Sequence, residues 1–392
     1  MAERQKLGRN VLALGTVSFF TDVASEMMYP LLPVFLASVL GASASFIGVI
    51  EGAAESVAAL LKLASGWWSD RVQSRKGLVL AGYVIASVIR PFTAATHTAA
   101  QVLGIRVTDR IGKGIRSTPR DALIAESVDP SIRGRAFGFH AAADNAGAVV
   151  GPLIAFGVLY AWHTPLRTVF WLTAIPGALA VLVLWIFVRD VPHAVAHTER
   201  PHMFGADLPS RFWGYLAVVF TFTLGNSTDA FLLLRASQLG VPVALAPVLW
   251  ALLNFVKSTT GTHGGGLSDK IGRRPLIIGG WLLYSAVYLA FGLAHSAWQA
   301  WVLFAVYGVF YGMTEGTEKA MVVDMVPSQR KGTALGWYNL AIGIGALPAS
   351  LMFGAVWDRA GAPAAFALGA ALAFIASVGI MFVRPIVSAP SK

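Results

Sequence analysis

Residues 265–275 read GGLSDKIGRRP, and residues 66–76 read GWWSDRVQSRK. Both are short polar turns set between long apolar runs, and Asp70 and Asp269 lie 199 positions apart. The same spacing returns further along, where ESVDPSIRGRAFG (126–138) resembles DMVPSQRKGTALG (324–336) at an offset of about 198. Two matches at one offset imply that a unit of about half the chain occurs twice.

The units are built for an apolar solvent. Of the 392 residues 56% are hydrophobic and only 13% charged, against about 25% charged in an ordinary soluble domain. Mean hydropathy is +0.65. Twelve apolar segments can be read, at 11–36, 46–68, 77–96, 100–121, 136–160, 166–188, 212–234, 243–264, 275–294, 298–322, 333–357 and 362–384. Each approaches the roughly 20 residues that cross about 30 Å of hydrocarbon. The first is too long for a cleavable signal and lacks a small-residue cleavage site. RDVPHAVAHTERPHMFGADLPSR (189–211) is the longest polar stretch. It divides the chain into an N-terminal six-helix unit (1–188), a cytoplasmic linker (189–211) and a C-terminal six-helix unit (212–392).

The net charge of +10 reports topology. Lys and Arg gather in alternate connections: Arg4, Lys6 and Arg9; Arg71, Arg75 and Lys76; Arg133 and Arg135; Lys270, Arg273 and Arg274; Arg330 and Lys331. The opposite connections, such as 40–45, carry none. This is the positive-inside pattern, which places both termini in the cytoplasm and the chain in the inner membrane. It argues against nucleic acid as a partner. With no cysteine and eight scattered histidines, no metal site or cofactor is expected. No Ser-His-Asp cluster, phosphate loop or H-E-x-x-H motif points to an enzyme.

These residues resemble the major facilitator superfamily. GGLSDKIGRR is similar to its cytoplasmic loop signature, and the first copy keeps Gly66, Asp70, Arg71, Arg75 and Lys76. The resemblance implies an all-α membrane protein of twelve transmembrane helices in two pseudosymmetric six-helix bundles. It also implies a gating role for Gly66, Asp70, Arg71, Gly265, Asp269 and Arg273, with contacts across the halves. In the fifth segment Gly138, Gly147, Gly151 and Pro152 follow the spacing G-x8-G-x3-G-P. That is similar to the antiporter motif of drug:proton exporters in this superfamily.

One stretch stands out against the apolar background. DRIGKGIRSTPRD (109–121) puts six charges into thirteen positions of the fourth segment. At 100° per residue, Arg106, Asp109, Arg110, Lys113, Arg116 and Arg120 fall within an arc of roughly 140°. A charge at the bilayer centre costs at least about 2.5–3.5 kcal/mol, so the stripe must face protein or water. Arg110 resembles the arginine that the superfamily implicates in proton coupling. Candidate counter-charges are Asp22 and Glu26 in the first segment, Glu51 and Glu55 in the second, and Asp144 beside His140 in the fifth. Some of these five carboxylates must be structural ion pairs. Asp22, Glu26, Arg110 and Asp144 are the expected proton-coupling set.

The expected solute-binding set is Tyr29, Glu55, Arg106, Lys113, Arg116 and His140 in the first half, with Asn226, Asp229, Asn254, Trp337 and Asn339 in the second. Glu315, Glu318 and Lys319 read as groups near the cytoplasmic end of the tenth segment, where long side chains snorkel. The sequence thus predicts a monomeric, proton-coupled carrier in the lipid bilayer that exports a small-molecule substrate. A carrier of an anionic metabolite or metal chelate is the alternative.

Overall fold

The computed structural model describes residues 7–69, 74–191, 208–327 and 330–383, and the described residues form helices and turns without a strand. In chain order the helices are α1 (Arg9–Val39), α2 (Ala44–Ser69), α3 (Arg75–Ala95), α4 (Ala99–Glu126), α5 (Arg133–Trp162) and α6 (Leu166–Phe187). After the connection come α7 (Ser210–Gln238), α8 (Ala246–Ile271), α9 (Arg273–Leu293) and α10 (Ala297–Asp324). A final 52-residue run, Lys331–Phe382, reverses at Gly361, where φ is 83° and ψ 169°. Glycine alone adopts that backbone freely, so α11 (331–360) and α12 (362–382) are separate crossings. Nine helical segments among the described residues are long and apolar enough to span a membrane. With α4 and α10, each 28 residues, and the last run taken as two, the set is consistent with twelve. Most of the expected linker, 192–207, lies outside the described residues.

The repeat is visible in local chemistry that the sequence motifs did not reveal. Thr98 Oγ1 accepts from the Gln101 N–H, and Gln101 Oε1 accepts from the N–H groups of His97 (2.7 Å) and Thr98 (3.2 Å). At the start of α10, Gln299 Oε1 accepts from the N–H groups of His295 (2.7 Å) and Ser296 (3.1 Å). Each is a capping box that satisfies the open N–H groups of a helix start. The two lie 198 positions apart. The apolar reading ended the fourth segment at 121, whereas α4 runs on to Glu126. Its charged side chains find partners inside the bundle, so the helix need not stop where hydropathy falls.

Both bundles break a helix at the same place. α1 tightens into a 3-10 turn at Tyr29–Leu31, and α7 is interrupted between Gly225 and Ala230. The breaks meet, with Tyr29 Oη and Thr228 Oγ1 3.5 Å apart. Irregular backbone at membrane depth is tolerated only within protein or beside a water-filled cavity.

Small residues set the helix crossings, as expected where lipid offers no hydrophobic drive. A methyl group on Gly112 of α4 would lie 2.6 Å from the Gly82 carbonyl oxygen of α3, and one on Gly82 would meet Gly112 and Arg116 in turn. The halves join along α2 with α11 and α5 with α8. A methyl on Gly354 would sit 2.7 Å from the Ala44 carbonyl oxygen, and one on Gly52 2.8 Å from Leu347 Cα. The Asp358 carboxylate accepts from the N–H groups of Ala44 (2.9 Å) and Ser45 (2.8 Å), tying α11 to the start of α2. The Asp358 and Gly354 contacts close the end of the bundle opposite to where α1 begins and α12 finishes, and the seam continues inward, with Ser56 Oγ donating to the Gly343 carbonyl at 2.6 Å. The outer surface shows Leu12, Val88, Trp162, Ile175, Trp185 and Phe382, an apolar coat suited to hydrocarbon.

Gly82→Leu should drive α3 from α4 and yield protein that aggregates on size-exclusion chromatography. Gly104→Ala on the same α4 has open space around it and should elute and melt as the parent does.

Candidate functional site

Two connected chambers lie between the halves. The first, about 220 Å³, is lined by Tyr29, Glu51 and Glu55 from the N-terminal half, the 226–229 break, Tyr311 of α10 and Ser350 of α11. The second, about 410 Å³, shares Glu55, Asn226 and Tyr311 and continues past Phe222, Lys257, Phe310, Glu315, Glu318, Lys319, Tyr338 and Asn339. Their size suits a small solute.

The N-terminal wall is a charge ladder. Glu51 and Glu55 sit one helical turn apart on α2, and Arg106 and Arg110 one turn apart on α4. Arg106 grips Glu51 through two bonds, Nε to Oε1 at 2.9 Å and Nη2 to Oε2 at 2.6 Å. Arg110 pairs with Glu55 at 3.0 Å. Arg90 of α3 adds a third link, donating to Asp109 at 2.7 Å. Bidentate, charge-assisted geometry of this kind is what offsets the removal of both ions from water.

Behind the ladder, α1 and α5 bring carboxylates together. Gly147 and Gly151 let α5 approach so closely that added methyls would lie 2.9 Å from Asp22 Cβ and 3.2 Å from Glu26 Cβ. Asp144, one turn before Gly147, faces the His140 ring, with Nδ1 to Oδ2 at 3.5 Å. Glu26 accepts from Trp250 Nε1 of the other half at 2.6 Å. Asp22 has no ion pair among the described residues; the charges around it are Asp144, Glu26, Lys113 and Arg116.

The C-terminal wall holds its carboxylates mostly with neutral donors. Asp229 accepts from the hydroxyls of Tyr307 (2.7 Å) and Tyr311 (3.0 Å). Glu318 accepts from Trp281 Nε1 (2.8 Å) and the Tyr338 hydroxyl (2.7 Å). Lys257 bonds Glu315 at 3.1 Å and stands 4.5 Å over the Tyr311 ring.

The profile of the Major Facilitator Superfamily matches residues 14–262 and 236–392. The chain is a member of that superfamily. An uncharacterised MFS-type transporter of Methanocaldococcus jannaschii is 31% identical over 385 residues, covering 97% of this chain and 96% of that protein. Multidrug resistance protein MdtH of Shigella dysenteriae is 28% identical over 93 residues, 24% of this chain and 23% of that protein. Among solved structures, a POT family transporter in complex with 5-aminolevulinic acid superposes with a TM-score of 0.82 at 12% identity, covering 97% of both chains. This major facilitator protein is therefore a multi-pass membrane transporter of the MFS type rather than an enzyme. Its class moves small molecules across a membrane.

Within the major facilitator fold, several expected roles change place. Arg106 is saturated by Glu51, and Arg116 lies 4.3 Å over the Tyr83 ring of α3. Neither guanidinium lines the chambers. The stripe on α4 is wide enough to face α2 on one side and α3 on the other, and it meets the chambers only through Glu51 and Glu55 of α2. His140 is buried within α5 against Asp144, and Lys113 stands among Arg110, Glu55, Lys62 and Asp22. Asn254 donates to the Trp250 carbonyl at 3.1 Å, and Trp337 packs on Trp213 with ring centres 5.2 Å apart; neither lines a chamber. Tyr29, Glu55, Asn226, Asp229 and Asn339 do. Glu318 does not snorkel: it is 7% exposed and locked between two aromatic donors.

Asp70 and Arg71 lie outside the described residues. Gly66 abuts Thr118 of α4, with an added methyl 3.1 Å from its Cγ2, and Gly265 lies within α8. Arg273 pairs with Asp269 and, at 3.3 Å, with Asp324. Arg75 pairs with Glu126 in the first half, the same arrangement 198 positions earlier. Among the described residues these loop contacts stay within each half instead of crossing. In the fifth-helix motif, Gly147, Gly151 and Pro152 are buried on α5, while Gly138 has open space and takes no part in packing.

Tyr307, Tyr311, Trp281 and Glu51 escaped the expected site set. The matched spacing of Glu51/Glu55 and Arg106/Arg110 was a usable signal, since parallel helices align i, i+4 pairs. No comparable pattern marked the tyrosines.

Arg106→Ala should destabilise the protein by about 3–5 kcal/mol by stranding Glu51, seen as a fall in melting temperature in detergent. Pairing it as Arg106→Met with Glu51→Leu should recover most of that loss.

Proposed function

We propose that this chain is a proton-coupled exporter of a small organic compound, working as a monomer by alternating access in the inner membrane with both termini in the cytoplasm. The observation that carries this reading is the meeting of Asp22, Glu26 and Asp144 where α5 presses onto α1. A proton carrier needs carboxylates that can exchange a proton for a cationic or hydrogen-bonding partner as the halves rock. Lys113 and Arg116 stand near enough to act on Asp22, and Trp250 reaches Glu26 from the half that moves against it. Glycine contacts of α5 on α1 and the short stretch shared with MdtH support export. The anionic-solute alternative drew on the α4 arginines, and Arg106 and Arg110 are already engaged by Glu51 and Glu55.

The proposal also assigns a gate. Asp358 places a negative charge on the N–H groups and positive dipole end of α2, a charge-assisted closure of the end facing away from the cytoplasm. Proton entry from outside would require that latch to open.

Purified protein in liposomes holding a pH gradient and an interior pH dye tests the coupling, with lipophilic cations, neutral drugs and organic anions added in turn. Asp22→Asn and Glu26→Gln should each abolish solute-driven proton movement while eluting as folded protein; full activity in both removes α1 from coupling. For the gate, the chain has no native cysteine, so Ser350→Cys is a clean reporter inside the first chamber. Asp358→Ala should raise its labelling by an impermeant maleimide from the outer side by roughly tenfold. An unchanged rate would show that Asp358 does not hold the gate.

A further inference from the structure

We propose that Asp229, at the break in α7, anchors an ammonium group on the transported compound, whose apolar body lies against the aromatic side chains of the second chamber. This rests on the transport reading above and names the chemical class that the cavity selects.

Among the carboxylates lining the chambers, Glu51, Glu55 and Glu315 each hold an arginine or lysine, and Glu318 is enclosed by Trp281 and Tyr338 at 7% exposure. Asp229 has no cationic partner within ion-pair distance among the described residues. Its oxygens instead accept one tyrosine hydroxyl each, Tyr307 at 2.7 Å and Tyr311 at 3.0 Å. Those bonds fix the plane of the carboxylate and leave further lone pairs on both oxygens. The group borders the first chamber at the point where α7 is unwound. A buried carboxylate held by dipoles alone is a ready counter-ion for a cation that arrives from outside the protein.

The neighbouring surface already receives an amine. Lys257 Nζ stands 4.5 Å over the Tyr311 ring, so that ring accepts an ammonium on its face while its hydroxyl serves Asp229. Asn226 lines both chambers and supplies a side-chain carbonyl acceptor where they join. Beyond it, Phe222, Phe310 and Tyr338 offer aromatic surface in the larger space of about 410 Å³, whose lining also holds the Lys257–Glu315–Lys319 group and Glu318. An anionic head at this point would instead meet the like charge of Asp229, while Lys257 and Lys319 are both turned to Glu315.

Three probes share one body and differ in head charge: 1-naphthylmethylammonium, 1-naphthylmethanol and 1-naphthoate. Equilibrium dialysis of the full chain in detergent, corrected for empty micelles, should give saturable binding of the ammonium. The alcohol should bind at least tenfold more weakly and the carboxylate not saturably. Asp229→Asn should weaken the ammonium roughly 10- to 100-fold and leave the alcohol unchanged. If that variant does not fold, Tyr311→Phe keeps the charge and should weaken the ammonium selectively by several-fold. Equal binding of amine and alcohol, preference for naphthoate, no saturable amine binding, or a folded Asp229→Asn with parental affinity each overturns the proposal. So does displacement of the amine by sodium chloride but not choline chloride, which would give Asp229 to an inorganic cation. The transport reading fails separately, if no solute of the liposome panel moves protons while amine binding persists.

Discussion

Charge buried in a hydrocarbon solvent is the constraint on which this fold depends. The ladder of Glu51 with Arg106 and Glu55 with Arg110 lets α4 carry its charges through the N-terminal bundle. Arg90 and Asp109 extend it to α3. Remove either side of the Arg106–Glu51 rung and the remaining ion is stranded in the buried interior. The ladder therefore fixes the register of α2 against α4, and that register places Glu51 and Glu55 on the cavity. Structural pairing and cavity polarity are two faces of one arrangement.

The two bundles meet this constraint in different ways. In the first, Glu51, Glu55 and Asp109 are matched with guanidinium groups. In the second, Asp229 and Glu318 are held by tyrosine and tryptophan donors. A neutral donor holds a carboxylate without cancelling its charge, so the second wall stays electrostatically open to a solute. Helix breaks serve the same division. The 3-10 turn of α1 at Tyr29 and the interruption of α7 at 226–229 touch at the boundary between halves. Both breaks border the first chamber.

Close packing and motion are reconciled by where the glycines lie. Gly82 against Gly112 welds helices within a half, whereas Gly52 and Gly354 bring α2 and α11 together across the halves. The Asp358 cap lies at one end, and the α2–α11 seam runs inward from it past Gly52, Ser56 and Ala59. The loop pairs Arg75–Glu126 and Arg273–Asp324 lie at the other and stay within their halves.

The sequence by itself determined the class, the repeat and the family. Apolar length, an offset of 198–199 positions and duplicated loops are one-dimensional quantities, set by bilayer thickness and gene-scale repetition. It also marked the charged face of α4, because helical periodicity is read directly from spacing. Only the tertiary structure decided which charge answers which. Arg106 and Arg116 look alike on a helical wheel, yet one turns to Glu51 and the other to Tyr83. Glu318 reads as a snorkelling group until Trp281 and Tyr338 are seen to enclose it. The physical reason is that electrostatic partners in a bundle are chosen by helix rotation and crossing, which depend on every neighbouring helix at once. Local spacing limits the candidates, and three-dimensional packing selects among them.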